Sequence, residues 1–263
     1  MLAPFEAPKL KIERARRHLQ ELETEITAYF DRKPMVLMVE KPAGLEHHGA
    51  HSWTVRIREP VPIHLSPIIG DIIHNLRASL DLLACDLVRI ARKSTKQVNF
   101  PFCDGPDKLD LVIKERKLSR AGPEVVALLK SLKPYKGGNI ALRAIHDFDI
   151  RDKHEALIPL ASGGASPSAN VRFSPGGGVT PIPSISSRIR KDGQHLLITI
   201  PIPGVPLGTE LPAAFALIFG FEGSPFDGQE ILNTLRHFTE ATESAVQLFI
   251  GRFDKPVASP SSD

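Results

Sequence analysis

The stretch of sequence that decides the fold is Ser66–Arg92, SPIIGDIIHNLRASLDLLACDLVRIAR. Its apolar residues recur every three or four positions, which predicts one long amphipathic helix that ends near Arg92. Ser66 is suited to cap this helix, and Pro67 is suited to its first turn. The apolar residues form one broad stripe: Ile69, Ile72, Ile73, Leu76, Leu80, Leu83, Leu87 and Ile90. Such a stripe requires other elements to pack around it.

A second stripe lies nearly opposite to the first one on the same helix. Its members are polar or small: Asp71, His74, Ala78, Asp81, Cys85 and Val88. Arg77 flanks this stripe, and Asn75 lies further round the helix. One reading is the solvated side of an amphipathic helix. The other reading is a ligand cleft or a buried polar network, because small residues let another backbone approach and leave the polar groups facing it.

A second polar group follows Asn139 in the predicted helix IALRAIHDFDIRDKH. Its core face contains Ala141, Ala144, Ile145 and Phe148, and its border contains Leu142, His146, Asp149 and Lys153. Polar groups at half-buried border positions are either hydrogen-bonded or available to a ligand. Asp152 falls towards the apolar side and needs a partner, while His154 lies at or beyond the helix end.

The two groups together predict one site between two helices. The expected catalytic residues are His74, Arg77, Asp81, His146, Asp149 and Lys153. The expected ligand-binding residues are Asp71, Asn75, Asp152 and His154. No metal and no cofactor is predicted, because Arg77 and Lys153 would repel a cation and no metal-binding motif of the H-E-x-x-H type is present. His47, His48 and His51 fall in a predicted hairpin loop and are read as surface histidines.

The remaining patterns complete the architecture. Before the long helix we expect a helix over Leu10–Phe30, whose apolar face needs a helical partner in this chain or in a second copy, and strands at Met35–Glu40 and Trp53–Arg58. After it we expect a short edge strand at Val98–Phe102 and two short helices at 107–117 and 123–132. Residues 161–185 are rich in Gly, Pro and Ser. Strands are predicted at 195–202 and 213–221, and a final helix at 229–252.

These elements predict an α+β fold, a bundle of three or four longer helices packed on a mostly antiparallel β-sheet. We expect a single domain over 1–253, with a helical part at about 8–159, a strand-rich part at about 160–253 and a disordered tail at 254–263. The chain has 263 residues, 42% of them apolar, and two cysteines. No apolar run reaches the ~20 residues of a membrane span, and two cysteines exclude a disulfide framework. A cytoplasmic location without membrane attachment is the default expectation.

Positive charge is concentrated in the middle of the chain. Residues 89–143 contain 13 Lys and Arg against 5 Asp and Glu, whereas the whole chain has a net charge of +3. Such a segment is either an electrostatic footprint for RNA or another phosphate-bearing ligand, or a set of solvated helix faces. Only Phe100, Phe102 and Tyr135 lie among these charges, which is too few for a platform that stacks single-stranded bases.

Three motifs carry a resemblance to known proteins. GDIIHNLRASLD at 70–81, SLKPY at 131–135 and HDFDIRDKH at 146–154 resemble a widespread family of uncharacterised bacterial proteins with the pattern G-D-x-x-H-N-L-R-x-x-L-D, a Pro-Tyr and a later H-x-x-[ND]-x-x-D-K-H. The matching residues are Gly70, Asp71, His74, Asn75, Leu76, Arg77, Leu80, Asp81, Pro134, Tyr135, His146, Asp149, Asp152, Lys153 and His154. The resemblance covers roughly Ile12–Pro159. It implies that the two polar helices belong to one unit, and it supplies no activity.

The chain also has a more distant likeness to the HEPN helical domains, many of which are metal-independent ribonucleases or toxin components. Those domains place a histidine four to six residues after an arginine, whereas here His154 follows Arg151 by three residues and Arg77 follows His74. The likeness implies that a histidine acts as general base on a ribose 2′-hydroxyl, while Arg77 or Lys153 stabilises the phosphorane charge.

Two functional hypotheses therefore stand at this point. In the first, the protein binds or acts on a phosphate-bearing ligand such as RNA: His74 or His146 is the acid–base, Arg77 and Lys153 stabilise charge, and Asp81 and Asp149 orient the histidines. In the second, the same residues form a buried network that fixes two helices in a non-catalytic module, and the N-terminal helix mediates homodimerisation. Exposure discriminates between them, because a site needs an open face and a network is closed.

Overall fold

The computed structural model describes residues 3–40, 52–154, 157, 159–165, 170–172, 179–181, 187–188, 198–199, 208–211, 213–221 and 223–254. Within these residues six α-helices and nine short strands are present, which confirms the α+β class. The chain forms two compact units. A helical unit takes the chain up to Leu22, from Ser66 to Leu157 and from Leu232 onward. A sheet-bearing unit takes Glu23–Leu65 and Ile158–Ile231.

The helices match the predicted elements, with small shifts at their ends. They are α1 (Glu6–Asp31), α2 (Leu65–Ile90), α3 (Leu109–Glu115), α4 (Pro123–Ser131), α5 (Ile140–Asp152) and α6 (Ile231–Phe253). Short 3₁₀ turns at Pro106–Lys108 and Leu118–Ala121 precede and follow α3. None of these helices is both long enough and apolar enough to cross a lipid bilayer, within the residues that the structure describes.

Helix α2 forms the core of the helical unit. Every residue of its predicted apolar stripe is buried except Ile90, which is exposed at the helix end. The helix begins one residue earlier than predicted, at Leu65, so Ser66 and Pro67 lie in its first turn and Ser66 is not the cap. It ends with Arg92 in the left-handed region (φ 55°), where the Lys93 amide donates to the Val88 carbonyl. This arrangement is a common way to satisfy the last carbonyls of a helix.

The apolar face of α1 is covered within the chain. In the helical unit its residues Ile12, Ala15, Leu19 and Leu22 are buried. Neighbouring polar contacts fix this part of the chain, since the Ser79 hydroxyl donates to the Pro8 carbonyl at 3.0 Å. The helical partner that this face requires is therefore supplied by the chain itself, and no second copy is needed to cover it.

The edge strand predicted at Val98–Phe102 is wrong. These residues form no strand, although Phe100 and Phe102 are buried. The Phe100 amide donates to Asp81 Oδ1 at 2.7 Å, and Pro101 has no amide hydrogen to offer a neighbouring strand. The segment is therefore held by a carboxylate of α2 instead of by a sheet.

The sheet-bearing unit contains small antiparallel sheets rather than one large sheet. Its strands are β1 (Met35–Glu40), β2 (Ser52–Ile57), β3 (Pro159–Ala165), β4 (Asn170–Arg172), β5 (Val179–Pro181), β6 (Ser187–Arg188), β7 (Ile198–Thr199), β8 (Glu210–Leu211) and β9 (Ala213–Phe219). They form sheets in the orders β7-β2-β1-β8, β6-β3-β9 and β4-β5. The β1–β2 register runs from Met35 opposite Ile57 to Glu40 opposite Ser52.

Several predictions for this part of the chain lie outside the described residues. They include the loop with His47, His48 and His51, most of the segment 161–185 beyond its strands, and the tail from 255 onward. Of the strand predicted at 195–202, only 198–199 is described, as β7. The strand predicted at 213–221 is confirmed as β9.

Candidate functional site

The start of helix α5 is fixed by the turn that contains Pro134 and Tyr135. The Asn139 side chain caps the helix by accepting a hydrogen bond from the Leu142 amide at 3.0 Å. Gly138 is pressed against this turn, since a Cβ on it would lie 2.3 Å from the Lys133 carbonyl oxygen. The Pro-Tyr motif and the following glycine therefore set the position from which α5 begins, and with it the position of every site residue on that helix.

His74 on α2 meets Asp149 on α5. His74 Nδ1 lies 3.0 Å from Asp149 Oδ1, and Lys153 Nζ donates to the other oxygen of the same carboxylate at 2.6 Å. Asp149 is buried, with 6% of its side chain exposed, whereas His74 and Lys153 are 57% and 56% exposed. A buried carboxylate thus orients an imidazole and an ammonium group that both face solvent.

This geometry gives His74 a defined chemical capability. The carboxylate of Asp149 accepts the Nδ1 hydrogen, which leaves the lone pair on Nε2. Within the described residues Nε2 has no hydrogen-bond partner. An imidazole held in this tautomer by a carboxylate can remove a proton from a ligand at its second nitrogen. We call His74, Asp149 and Lys153 the open triplet.

Asp152 and Asp71 lie beside the open triplet. Asp152 is half-buried, and its carboxylate lies against Gly70 of α2, where a Cβ would be only 2.4 Å from Oδ2. Burial, followed by the charges of Asp149 and Asp71, raises the pKa of Asp152 above its ordinary value, while His74 and Lys153 lower it by less. No hydrogen bond or ion pair of the Asp152 side chain is found among the described residues, so the expected partner is not observed. The absence of a Cβ at Gly70 gives the carboxylate its space.

Arg77, Asp81, His146 and Phe102 form a second group, which we call the closed cluster. Arg77 Nη1 is 2.5 Å from Asp81 Oδ2, and Arg77 Nε donates to His146 Nδ1 at 3.4 Å. The Arg77 guanidinium lies 4.7 Å from the centre of the Phe102 ring, and the His146 ring stacks on that same ring at 4.7 Å with an interplanar angle of 6°. Only 12% of the Arg77 side chain is exposed.

The electrostatics of the closed cluster keep His146 neutral. Burial, followed by the charges of Arg77 and Arg143, lowers the pKa of His146 from 6.5 to about 4. The ring accepts the Arg77 hydrogen bond at Nδ1, which requires that nitrogen to be unprotonated. The Arg77 charge is paired with the Asp81 carboxylate and packed on Phe102, although its buried Nη1 donates no hydrogen bond among the described residues. With 12% of its side chain exposed, Arg77 is less accessible to a ligand than Lys153.

The other predicted ligand-binding residues lie around these groups. Asn75 is buried, donates to the Asp71 carbonyl at 2.7 Å and accepts from Lys11 Nζ at 3.1 Å. It is therefore occupied in fixing α1 against α2. Asp71 is exposed. His154 is exposed just after α5, and its backbone amide donates to the Arg151 carbonyl.

No group of three or more His, Cys, Asp or Glu side chains suited to a metal ion occurs in the described part of the chain. Two residues of the site were not foreseen as such. The first is Phe102, whose ring makes a cation–π contact with Arg77 and stacks on the His146 ring. The second is Arg143, which donates hydrogen bonds to Asp147 and to the Cys103 carbonyl. Phe102 was read as part of a strand, and a single aromatic residue gives no periodic signal. Arg143 could have been found from its i,i+4 spacing to Asp147.

Comparison of the chain with protein-family models, with curated proteins and with solved structures gave no match. The site is therefore interpreted from its own geometry.

Proposed function

We propose that the open triplet binds and acts on a phosphate-bearing ligand such as RNA, without a metal ion. The observation that carries this proposal is the exposed His74 imidazole, whose Nδ1 is held at 3.0 Å by a buried carboxylate that also holds an exposed ammonium group. Burying Asp149 at this point has a cost in desolvation. The hydrogen bonds of Asp149 to His74 and Lys153 offset that cost. An imidazole can act as a general base on a phosphodiester, and an ammonium group can bind its negative charge.

The proposed chemistry is an intramolecular transesterification. His74 Nε2 takes the proton of a ribose 2′-hydroxyl, the 2′-oxygen attacks phosphorus, and the bond from phosphorus to the 5′-oxygen breaks. The leaving 5′-oxygen takes a proton from water, and the His74 imidazolium returns its proton to the hydroxide so formed. The products are a 2′,3′-cyclic phosphate and a 5′-hydroxyl. Lys153 stabilises the negative charge on the phosphorane, and Asp149 stabilises the imidazolium that forms. Asp71, Asp152 and His154 flank the ligand.

The closed cluster has a different part in this proposal. Arg77, Asp81 and His146 belong to a packed network that sets the register of α2 against α5, which is the role that the second hypothesis gives to the whole set. The specific observation for it is that the little-exposed Arg77 is ion-paired with Asp81, donates to His146 and packs on Phe102. The cation of the proposed reaction is therefore Lys153, in place of the arginine used by the HEPN domains.

The test is a cleavage assay on a single-stranded RNA of mixed sequence that carries a 5′ fluorophore, in the presence of EDTA. We expect fragments that end in a 2′,3′-cyclic phosphate, identified by mass spectrometry. His74→Gln should lower the rate about 100-fold or more, which is the usual loss when a general base is removed. Lys153→Met should also lower it, and because the buried carboxylate of Asp149 then loses its ammonium partner, the rate is compared at a temperature where both proteins are fully folded.

A matched control is His237→Gln, since His237 is an exposed histidine on α6 within the same helical unit. This variant should cleave RNA as fast as the wild type. Cleavage that survives in His74→Gln would contradict the proposal. So would the absence of cleavage in a wild-type protein that is folded at the assay temperature.

A further inference from the structure

Six cationic residues lie in two turns of the helical unit, the turn after α2 and the turn after α3, and these two turns are in contact. We call them the basic corner: Arg92, Lys93, Lys96, Arg116, Lys117 and Arg120. Arg120 joins the two turns, because its Nη1 donates to the carbonyl oxygens of Ser94 at 2.8 Å and Lys96 at 3.4 Å. All six are exposed except Lys117, which is half-buried. The corner thus collects charge from two separate segments.

Three of the five acidic residues between positions 89 and 143 are paired with cations outside the basic corner: Asp104 with Arg143, Asp110 with Lys130, and Glu124 with Arg252. Asp107 and Glu115 form no ion pair among the described residues. Among the residues that the structure describes, no carboxylate oxygen lies within 4.0 Å of a basic-corner cation. The exposed Glu115 next to Arg116 is the nearest acid in sequence. Within the described residues, the positive charge at the basic corner is therefore not neutralised by ion pairs.

We propose that the basic corner is a second contact point for RNA, where it holds the phosphate backbone away from the open triplet. This inference rests on the proposed function, in which RNA is the ligand. The aromatic residues closest in sequence, Phe100 and Phe102, are buried and present no ring on which a base could stack. Contact is then made to phosphates alone, which makes it independent of sequence and strongly dependent on salt.

The position of the basic corner favours RNA over an anionic membrane. Its cations lie in turns between helices, whereas proteins that lie on membranes usually present an amphipathic helix with a continuous apolar face. The corner is also far from the proposed reaction. From His74 to the end of α2 at Ile90 the helix extends about 24 Å, at about 1.5 Å per residue.

That separation predicts a length requirement. At about 3.4 Å per nucleotide of a stacked strand, roughly seven nucleotides are needed to reach from the open triplet to the basic corner. A shorter oligonucleotide engages the open triplet alone. Its binding should not respond to substitutions at the corner, whereas a longer strand should gain affinity from both contact points.

The experiment measures binding of a fluorescein-labelled 16-nucleotide RNA by anisotropy between 50 and 300 mM NaCl. The corner variant is Lys93→Gln, Lys96→Gln and Arg116→Gln together, with Arg120 kept because it ties the turns. The control variant removes the same charge from α1 and the turn after it: Arg14→Gln, Arg17→Gln and Lys33→Gln. At 100 mM NaCl we expect about tenfold weaker binding for the corner variant and a salt slope less steep by about 2. The control variant should differ from the wild type by less than twofold.

The outcomes separate this inference from the proposed function. Corner-dependent binding without RNA cleavage supports the basic corner and overturns the role of His74. His74-dependent cleavage with equal RNA binding by the corner and control variants overturns the inference alone. Loss of binding to phosphatidylserine vesicles in the corner variant, with RNA binding unchanged, also overturns it and assigns the corner to a membrane surface. The length requirement is contradicted if the corner variant loses as much affinity for a four-nucleotide RNA as it loses for the 16-nucleotide RNA.

Discussion

The half-buried imidazole of His146 should make the stability of this protein fall as the solution becomes acidic. Burial and the charges of Arg77 and Arg143 lower its folded-state pKa from 6.5 to about 4. In the unfolded chain the group titrates near its ordinary value, so the unfolded state binds more protons between these two pH values. The stabilising contribution is therefore complete above about pH 6.5 and is lost as the pH falls towards 4.

The size of this loss follows from the shift. One pKa unit corresponds to about 1.4 kcal/mol, so the free energy of unfolding should fall by about 2 kcal/mol from pH 7 to pH 5 and by about 3 kcal/mol by pH 4. The comparison is His146→Gln, whose side-chain oxygen can still accept the Arg77 hydrogen bond and does not titrate. Urea unfolding of both proteins at pH 7, 6 and 5 gives the difference that belongs to this residue.

The free energy of unfolding of the wild type, minus that of His146→Gln, should decrease by about 2 kcal/mol as the pH falls from 7 to 5. Groups that titrate elsewhere affect both proteins alike and cancel in this difference. His237→Gln, at an exposed position, should follow the wild type at each pH. If the curves of wild type and His146→Gln run parallel over this range, the imidazole is not held neutral by its surroundings and the reasoning is refuted.

Three further changes test the rest of the site. Asp149→Asn should lower RNA cleavage about 100-fold, because an amide no longer fixes the tautomer of His74; an unchanged rate would separate Asp149 from the reaction. Gly70→Ala should move the Asp152 carboxylate, which a Cβ would approach to 2.4 Å, and the change should appear in its carboxyl NMR resonance. Asn139→Ala should lower the free energy of unfolding by about 1 kcal/mol in urea titrations, through loss of the α5 cap, and an equal value would argue against that cap.

The elements of the helical unit could be predicted because their periodic patterns are strong. The apolar stripe of α2 fits an amphipathic helix and no other element, and the spacing alone gives the length and position of that helix. The exact first residue could not be predicted in this way, since Ser66 and Pro67 suit the first turn almost as well as the cap. Helix ends depend on local contacts that a repeat pattern does not contain.

The Val98–Phe102 segment shows why other features could not be predicted. Its composition is typical of a strand, but the segment is instead tied to α2 by hydrogen bonds to Asp81 and Cys85. The same segment delivers Phe102 to the site, where it stacks on His146. Contacts between residues that are far apart in the sequence leave no periodic trace, so the division into an open triplet and a closed cluster could not be read from helix faces.

The open triplet and the closed cluster lie next to each other on the same two helices, α2 and α5. His74 and Arg77 are three residues apart on α2, and His146 and Asp149 are three residues apart on α5. The closed cluster therefore fixes the distance across which the open triplet is assembled. Removing Arg77 should weaken stability and cleavage together, since it leaves the carboxylate of Asp81 without its cation. Removing Lys153 should also weaken both, since the buried carboxylate of Asp149 loses its ammonium partner. The loss of cleavage measured on the fully folded variant is therefore the part that tests the proposed charge stabilisation.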